Sequence, residues 1–265
     1  GSNEGYDIFS KNLKLDDKTN SWKCKLNKMG IDTRYRTSQN EIMDDFRLEG
    51  DELRVTLDRI AMINRFLGGN SITLNGVKTL LSTSYKNETI TIVDIGCGNG
   101  DMLRMLSDYG NRHHIKLSLL GIDANPYIIN CARDLSKDYT NISYLCADIF
   151  EANFEDVKYD IVLCTLTLHH FDDEAIFRLL DSLVNVSKLG VVINDLQRSK
   201  MAYRLFQTIA VVFRLNRMTK VDGLVSILRG FKKIELVQFA KGLRLEHYTI
   251  QWKWAFRYQW IIFNI

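Results

Sequence analysis

Apolar residues at Leu53, Leu57, Ile60, Ile63 and Leu67 recur at three- and four-residue spacing and predict one amphipathic helix opening near Gly50-Asp51. Gly68-Gly69 ends it, and Ser71 is placed to cap a second helix through about Leu81, with Leu74, Val77 and Leu81 on one face. The period then changes. A β-branched run at 89–93 is followed by apolar runs at 117–122, 142–146, 161–166 and 190–193. Stretches of helical length lie between them at 101–112, 126–138 and 173–187. Strict alternation of strand and helix predicts βαβ units around a parallel sheet, and the unbroken apolar runs predict helices on both faces. After Asp195 the alternation stops. Residues 199–230 are helical in pattern, 232–242 form another helix, and 245–254 and 256–265 form two aromatic-rich strands. The expected fold is a doubly wound α/β sheet of seven strands, mostly parallel with the last antiparallel. An N-terminal arm with its helix and a helical insertion after the fifth strand stand outside that frame.

Composition narrows the class. With 265 residues, 46% hydrophobic, sixteen glycines and a single proline, the chain is neither disordered, collagen-like nor a proline-rich linker. Five cysteines at 24, 97, 131, 146 and 164 have no CxxC spacing and read as reduced thiols. No apolar run approaches the length of a membrane span, and no basic-then-apolar leader opens the chain, so a cytoplasmic protein is expected. The net charge of +3 hides an asymmetry: from Lys200 onward twelve Lys/Arg stand against three Asp/Glu. Such a basic half suits an acidic ligand, nucleic acid, a membrane surface or simple solvation.

The chemistry concentrates at Val93-Asp94-Ile95-Gly96-Cys97-Gly98-Asn99-Gly100, where the first strand turns into a helix. The glycine spacing is GxGxG, not the GxGxxG of dinucleotide sites, and Asp94 precedes it by two residues. Two further strands end in aspartates, Asp123 and Asp148, at the sheet edge where open α/β folds bind ligands. This series resembles the cofactor signature of class I S-adenosylmethionine (SAM)-dependent methyltransferases, which share a Rossmann-like fold, across about residues 70–265. The resemblance implies SAM as cofactor and S-adenosylhomocysteine (SAH) as product. It implies that Asp94, Gly96, Cys97, Gly98 and Gly100 lie at the methionine moiety. Asp123 with Ala124 would meet the ribose, Asp148 with Ile149 the adenine, and Thr165 and Leu166 would touch the methionine part. Taken singly, Asp123 or Asp148 reads as a helix N-cap, which the ordered series of strand-end aspartates makes the lesser reading.

His169 and His170 follow the fourth strand, where a general base for a hydroxyl acceptor is useful; a packed, hydrogen-bonded strut is the other reading. Asp195 ends the fifth strand and either orients a histidine, holds an acceptor hydroxyl or caps the next helix. Arg198 is an acidic-acceptor ligand or a salt-bridge partner. No metal site is expected, since only Asn194-Asp195 begins an acidic and amide cluster. His113 and His114 read as solvated.

Two further stretches, 35–45 with 63–69, and 194–199 with Asp222-Gly223 and 226–229, resemble bacterial small-molecule methyltransferases of the ubiquinone/menaquinone type found beside polyketide synthases. That implies O-methylation of a hydroxylated, aromatic or lipid-like acceptor; C- or N-methylation stays open. The lysine-rich first thirty residues and Trp252, Trp254 and Trp260 depart from that pattern. Residues 3–69 are expected to cover the site. Within the domain at 70–265, the segment 199–230 forms a lid offering Met201, Tyr203, Phe206, Ile209 and Phe213. An Asn/Asp-Pro-Pro-Tyr motif is missing after the fourth strand, which argues against a nucleic-acid base as acceptor. The basic C-terminal half would contact a membrane surface.

Overall fold

The computed structural model describes residues 31–82, 88–150 and 157–264. The chain divides into two units, Gly1–Asp32 and Thr33–Ile265, and the second carries the elements below. The expectations for residues 3–30, Cys24 among them, lie outside the described residues.

Helix α1 (Asp51–Phe66) is followed directly by α2 (Gly69–Leu81). Gly68, at φ +71°, serves both as the residue beyond the end of α1 and as the N-cap of α2. The chain thus reverses on one left-handed residue and leaves no linker for Ser71 to cap; Ser71 lies inside α2, a correction to the expected start. The alternating part runs β1 (Ile90–Ile95), α3 (Asp101–His113), β2 (Leu117–Asp123), α4 (Pro126–Leu135), β3 (Ile142–Cys146), β4 (Tyr159–Thr165), α5 (Asp173–Val186) and β5 (Ser187–Leu196). The insertion is two helices, α6 (Lys200–Val212) and α7 (Arg217–Arg229), then α8 (Lys233–Gly242) and the hairpin β6 (Tyr248–Lys253) and β7 (Arg257–Phe263).

The sheet order is β3-β2-β1-β4-β5-β7-β6, and β7 runs antiparallel to both its neighbours. Successive residues of the central strands are buried on opposite faces. Val93, Val162 and Val191 pack with α5 and α8, whereas Ile92, Leu163 and Val192 pack with α2 and α3. Strand β5 is longer than its apolar run. Pairing with β7 from Gly190 to Leu196 satisfies its backbone, so the polar Asn194 and Asp195 stay in the strand and are buried at the sheet's carboxyl edge.

The arm is pinned over that edge. The Arg36 guanidinium donates to the carbonyls of His169 and Phe171 and pairs with Asp173. Asp222 of α7 accepts from the Ile42 and Met43 amides at 2.8 and 3.1 Å, fixing a 3-10 turn at Ile42–Asp44. Arg198 is consumed structurally: it pairs with Glu235 and donates to the carbonyls of Thr33 and Gly230.

Candidate active site

A cavity of about 860 Å³ opens above the carboxyl edge of the sheet, walled by the arm, α1, α6 and α7. Its floor begins at the glycine turn. Gly96 and Gly98 have φ of +67° and +53°, and a Cβ on Gly98 would meet no atom within 4 Å. The backbone there faces open cavity, as a close-lying ligand requires. Asp123 accepts from the Gly98 amide (3.1 Å) and the Asn125 amide (3.1 Å), which fixes its carboxylate at the cavity wall. The cap of α4 is Asn125, whose side chain accepts from Tyr127 and Ile128, so Asp123 is free of that role. Asp94, Gly96, Cys97, Gly98, Asp123, Ala124, Asp148, Ile149, Thr165 and Leu166 all line the cavity. Asp148 also accepts from the Phe150 amide. Gly100 does not line it. This glycine caps α3, and a Cβ there would strike the Tyr144 hydroxyl at 2.0 Å, so its requirement for glycine is internal packing. Leu166 has φ +54°, a costly conformation for a leucine, held by its amide donating to the Asn194 carbonyl.

Electrostatically the floor is acidic. Asp94 is buried, its Oδ1 has no hydrogen-bond partner, and burial together with the neighbouring Asp123 pushes its pKa up to about 7. A buried carboxylate in that state is matched to a cationic ligand.

Beyond the floor stand the histidines, on a 3-10 turn at Leu168–His170. His169 is 2% exposed. Its Nδ1 lies 2.7 Å from Asp195 Oδ1, its amide donates to Asp195 Oδ2, and its Nε2 is 3.4 Å from Glu41 Oε1. Burial opposes charge on the ring, but Asp195 and Glu41 outweigh it and raise the pKa to about 9. His169 is therefore an imidazolium at neutral pH, which corrects its expected use as a free base. Asp195 orients the ring and does not cap the next helix, whose N-cap is Ser199. For Glu41 burial acts upward, yet His169 and His170 bring its pKa below the ordinary value. His170 turns its Nδ1 to Asp44 at 2.6 Å, and Asp44 in turn pairs with Arg229.

Glu41, Asp44, Asp222 and Arg229 carry this arrangement, and sequence reasoning gave none of them a chemical role. The available signal was Glu41 and Asp44 at i, i+3 inside an otherwise polar arm. Among the described residues, Glu41, His169 and His170 also bring ligand-type atoms within 4.8 Å of one another. The histidine Nδ1 atoms are, however, already turned to Asp195 and Asp44 as ion pairs.

The raised His169 pKa has a stability consequence. Its contribution is fully present below the unfolded value near 6.5 and is lost as pH rises through about 9. Urea unfolding should show wild type losing up to about 3 kcal/mol across that window relative to His169→Gln. Parallel pH profiles for the two proteins would contradict the ion-pair assignment.

Residues 92–190 match a family model described as a methyltransferase domain. A malonyl-[acyl-carrier protein] O-methyltransferase of Acetivibrio thermocellus is 34% identical over 84 residues, covering 32% of this chain and 28% of that protein. A ubiquinone biosynthesis O-methyltransferase of Rickettsia bellii is 27% identical over 139 residues, covering 51% of this chain and 55% of that one. The chain thus spans between about a quarter and about half the length of these curated relatives. Among solved structures, a plantazolicin methyltransferase in complex with SAH superposes with a TM-score of 0.60 at 17% identity, covering 79% of this chain and 89% of that one. At that identity the likeness is one of fold.

Proposed function

We propose that this chain, whose residues 92–190 form a class I SAM-dependent methyltransferase domain, methylates a hydroxyl oxygen on a small aromatic or lipid-like acceptor. The residues present fit the cofactor. The Gly98 backbone leaves the room a flat, close-lying ligand needs, Asp123 offers a fixed carboxylate for a pair of hydroxyls, and Asp94 offers an unpartnered buried oxygen to an ammonium. SAM, when bound, supplies a methyl group already activated by the sulfonium. The protein's work is then to orient the acceptor, exclude water and manage one proton.

The observation that carries the reading is Glu41 Oε1. It is buried at the cavity wall, accepts no protein hydrogen bond of ordinary length, and is held as a carboxylate by His169 Nε2 at 3.4 Å. An ionised carboxylate there accepts a hydrogen bond from the acceptor hydroxyl and takes its proton as the oxygen loses it. His169, fixed by Asp195, holds that carboxylate in place, and the His170–Asp44 contact lies at the more exposed end. The chamber walls are Leu57, Ile60, Ile63, Leu205, Phe206 and Ile209, which suits a greasy acceptor. Calorimetric titration with SAH tests the cofactor half of this reading: micromolar binding is expected, and no binding would overturn it.

The Asp94 carboxyl gives a further expected result. It takes up a proton in the free protein near neutrality, whereas an ammonium beside it favours the ionised form. SAH affinity should therefore rise as pH climbs from 6 to 8, by up to about tenfold per unit below the pKa. Asp94→Asn should flatten that profile in calorimetry; an unchanged slope would contradict the placement.

The acceptor's route in follows from α6. Exposed Met201, Leu205, Val211 and Val212 of α6 and Phe213 just after it stand among exposed Lys200 and Arg204 of α6, Arg214 of the turn and Arg217 of α7. No Asp or Glu occurs between Gln197 and Val221. A basic rim of this kind with exposed apolar residues suits an anionic bilayer surface. Co-sedimentation with phosphatidylglycerol vesicles but not phosphatidylcholine vesicles is expected, and loss of that preference in Val212→Asp/Phe213→Asp checks it. No helix among the described residues is long and apolar enough to cross a membrane.

A further inference from the structure

Arg257 is a buried cation that the methyl-transfer chemistry leaves unused. It opens β7, lines the cavity and is 4% exposed. Its Nε and Nη1 are buried without a hydrogen-bond partner. A guanidinium in that position is costly unless something pairs with it. Burial pulls its pKa down only to about 10, so the group stays charged at neutral pH. The carboxylate that acts on it through space is Asp195, and that group is already engaged: Oδ1 faces His169 Nδ1 and the Leu196 amide, and Oδ2 takes the His169 amide. The guanidinium lies beside Gly69, where a Cβ would strike the Asn64 side chain at 1.8 Å and come within 3.0 Å of Arg257 Cζ.

Position assigns the guanidinium to the acceptor side. The cofactor floor lies at the end of β1, and β7 is three strands away in the order β1-β4-β5-β7. At the usual strand spacing that is about 14 Å. Arg257 pairs in register with Leu196, next to Asp195, and shares its stretch of wall with Trp254 and Phe256.

We propose that Arg257 anchors an anionic group of the acceptor, so that the cavity selects a hydroxylated acceptor that also carries a carboxylate. This rests on the methyl-transfer reading. The planar fork of the guanidinium matches a carboxylate with two parallel hydrogen bonds. The other cationic groups at the wall, His169 and Arg229, are each already turned to a carboxylate, Asp195 and Asp44. Carboxylate on Arg257 and hydroxyl at Glu41 then fix both ends of the acceptor, and its alkyl part fills the apolar chamber.

The test is calorimetry on the full chain saturated with SAH, using 8-(4-hydroxyphenyl)octanoate and 4-octylphenol, which differ by a terminal carboxylate. Wild type should bind the carboxylate-bearing probe at least tenfold more tightly than 4-octylphenol. Arg257→Gln should lose that preference and Arg257→Lys should keep part of it, while SAH affinity stays within twofold of wild type in both. Equal binding of the two probes by wild type overturns the proposal, and it needs no variant to fold. Preference surviving in a folded Arg257→Gln also overturns it. A tenfold loss of SAH affinity with the preference intact would overturn it too, by assigning the guanidinium to the cofactor's own carboxylate. Failure of wild type to bind SAH would instead remove the methyl-transfer reading, a result the same titration series reports separately.

Discussion

Glu41→Gln lowers kcat by about 100-fold while KM for the acceptor changes little. The substitution keeps the side chain's size and its place beside His169, 3.4 Å away in the native protein. It removes the carboxylate that stands beside His169 at the cavity wall and that takes the hydroxyl's proton in the proposed reaction. His169 cannot substitute, because Asp195 and Glu41 hold its ring protonated. Without Glu41 the His169 pKa falls, so the residual activity of Glu41→Gln should depend on pH more steeply between 6 and 8 than wild type. Steady-state kinetics with saturating SAM reads both effects. A Glu41→Gln enzyme with wild-type kcat would show that the proton leaves by another route. A matched loss in kcat and in thermal stability would mean that Glu41 only holds the arm.

Asp123→Ala weakens SAH binding by about 100-fold, the cost of removing a charged acceptor of two hydrogen bonds from a ligand. Burial of the carboxylate raises its pKa even though the Asn125 and Gly98 amides act against that. Loss of the side chain also frees the Gly98 amide, so part of the effect comes through the glycine turn. Asp123→Asn separates the two contributions. It retains an acceptor for the turn and should bind SAH with intermediate affinity. Calorimetry on both variants, with thermal melts to establish folding, checks the order wild type, Asp123→Asn, Asp123→Ala. Equal affinity in all three would mean that the cofactor does not reach this carboxylate.

The fold was legible because its signals are local. Apolar runs separated by helical stretches report burial on both faces of a parallel sheet, Gly96 reports backbone that turns tightly against Thr167, and Gly98 reports backbone that turns and stays open. The floor of the cavity was legible for the same reason: Asp94, Asp123 and Asp148 each sit at or beside the end of their own strand, and parallel topology brings strand ends together. Gly100 shows the limit of such reasoning, since its glycine is required by Tyr144 from another strand. The acceptor half was mostly hidden. Glu41 and Asp44 reach His169 and His170 across more than a hundred residues, through an arm with no periodicity. Asp222 and Arg229 matter because they hold that arm, a contact that no spacing reports. Arg257 is one more basic residue in an aromatic hairpin until the register of β7 puts it inside the cavity. His169 was visible as chemistry, but its protonation state depends on two carboxylates from distant segments.

Methyl transfer to a hydroxyl oxygen in this cavity is tested most directly by product analysis. The protein is incubated with SAM carrying an isotopically labelled methyl group and with hydroxylated aromatic acceptors of graded alkyl chain length. Mass spectrometry and NMR then locate the label. Label on oxygen, more product with the longer-chain acceptors, and loss of product in Glu41→Gln are the expected results. Label found on carbon or nitrogen, or no label transferred by a protein that binds SAH, would contradict hydroxyl methylation at this site.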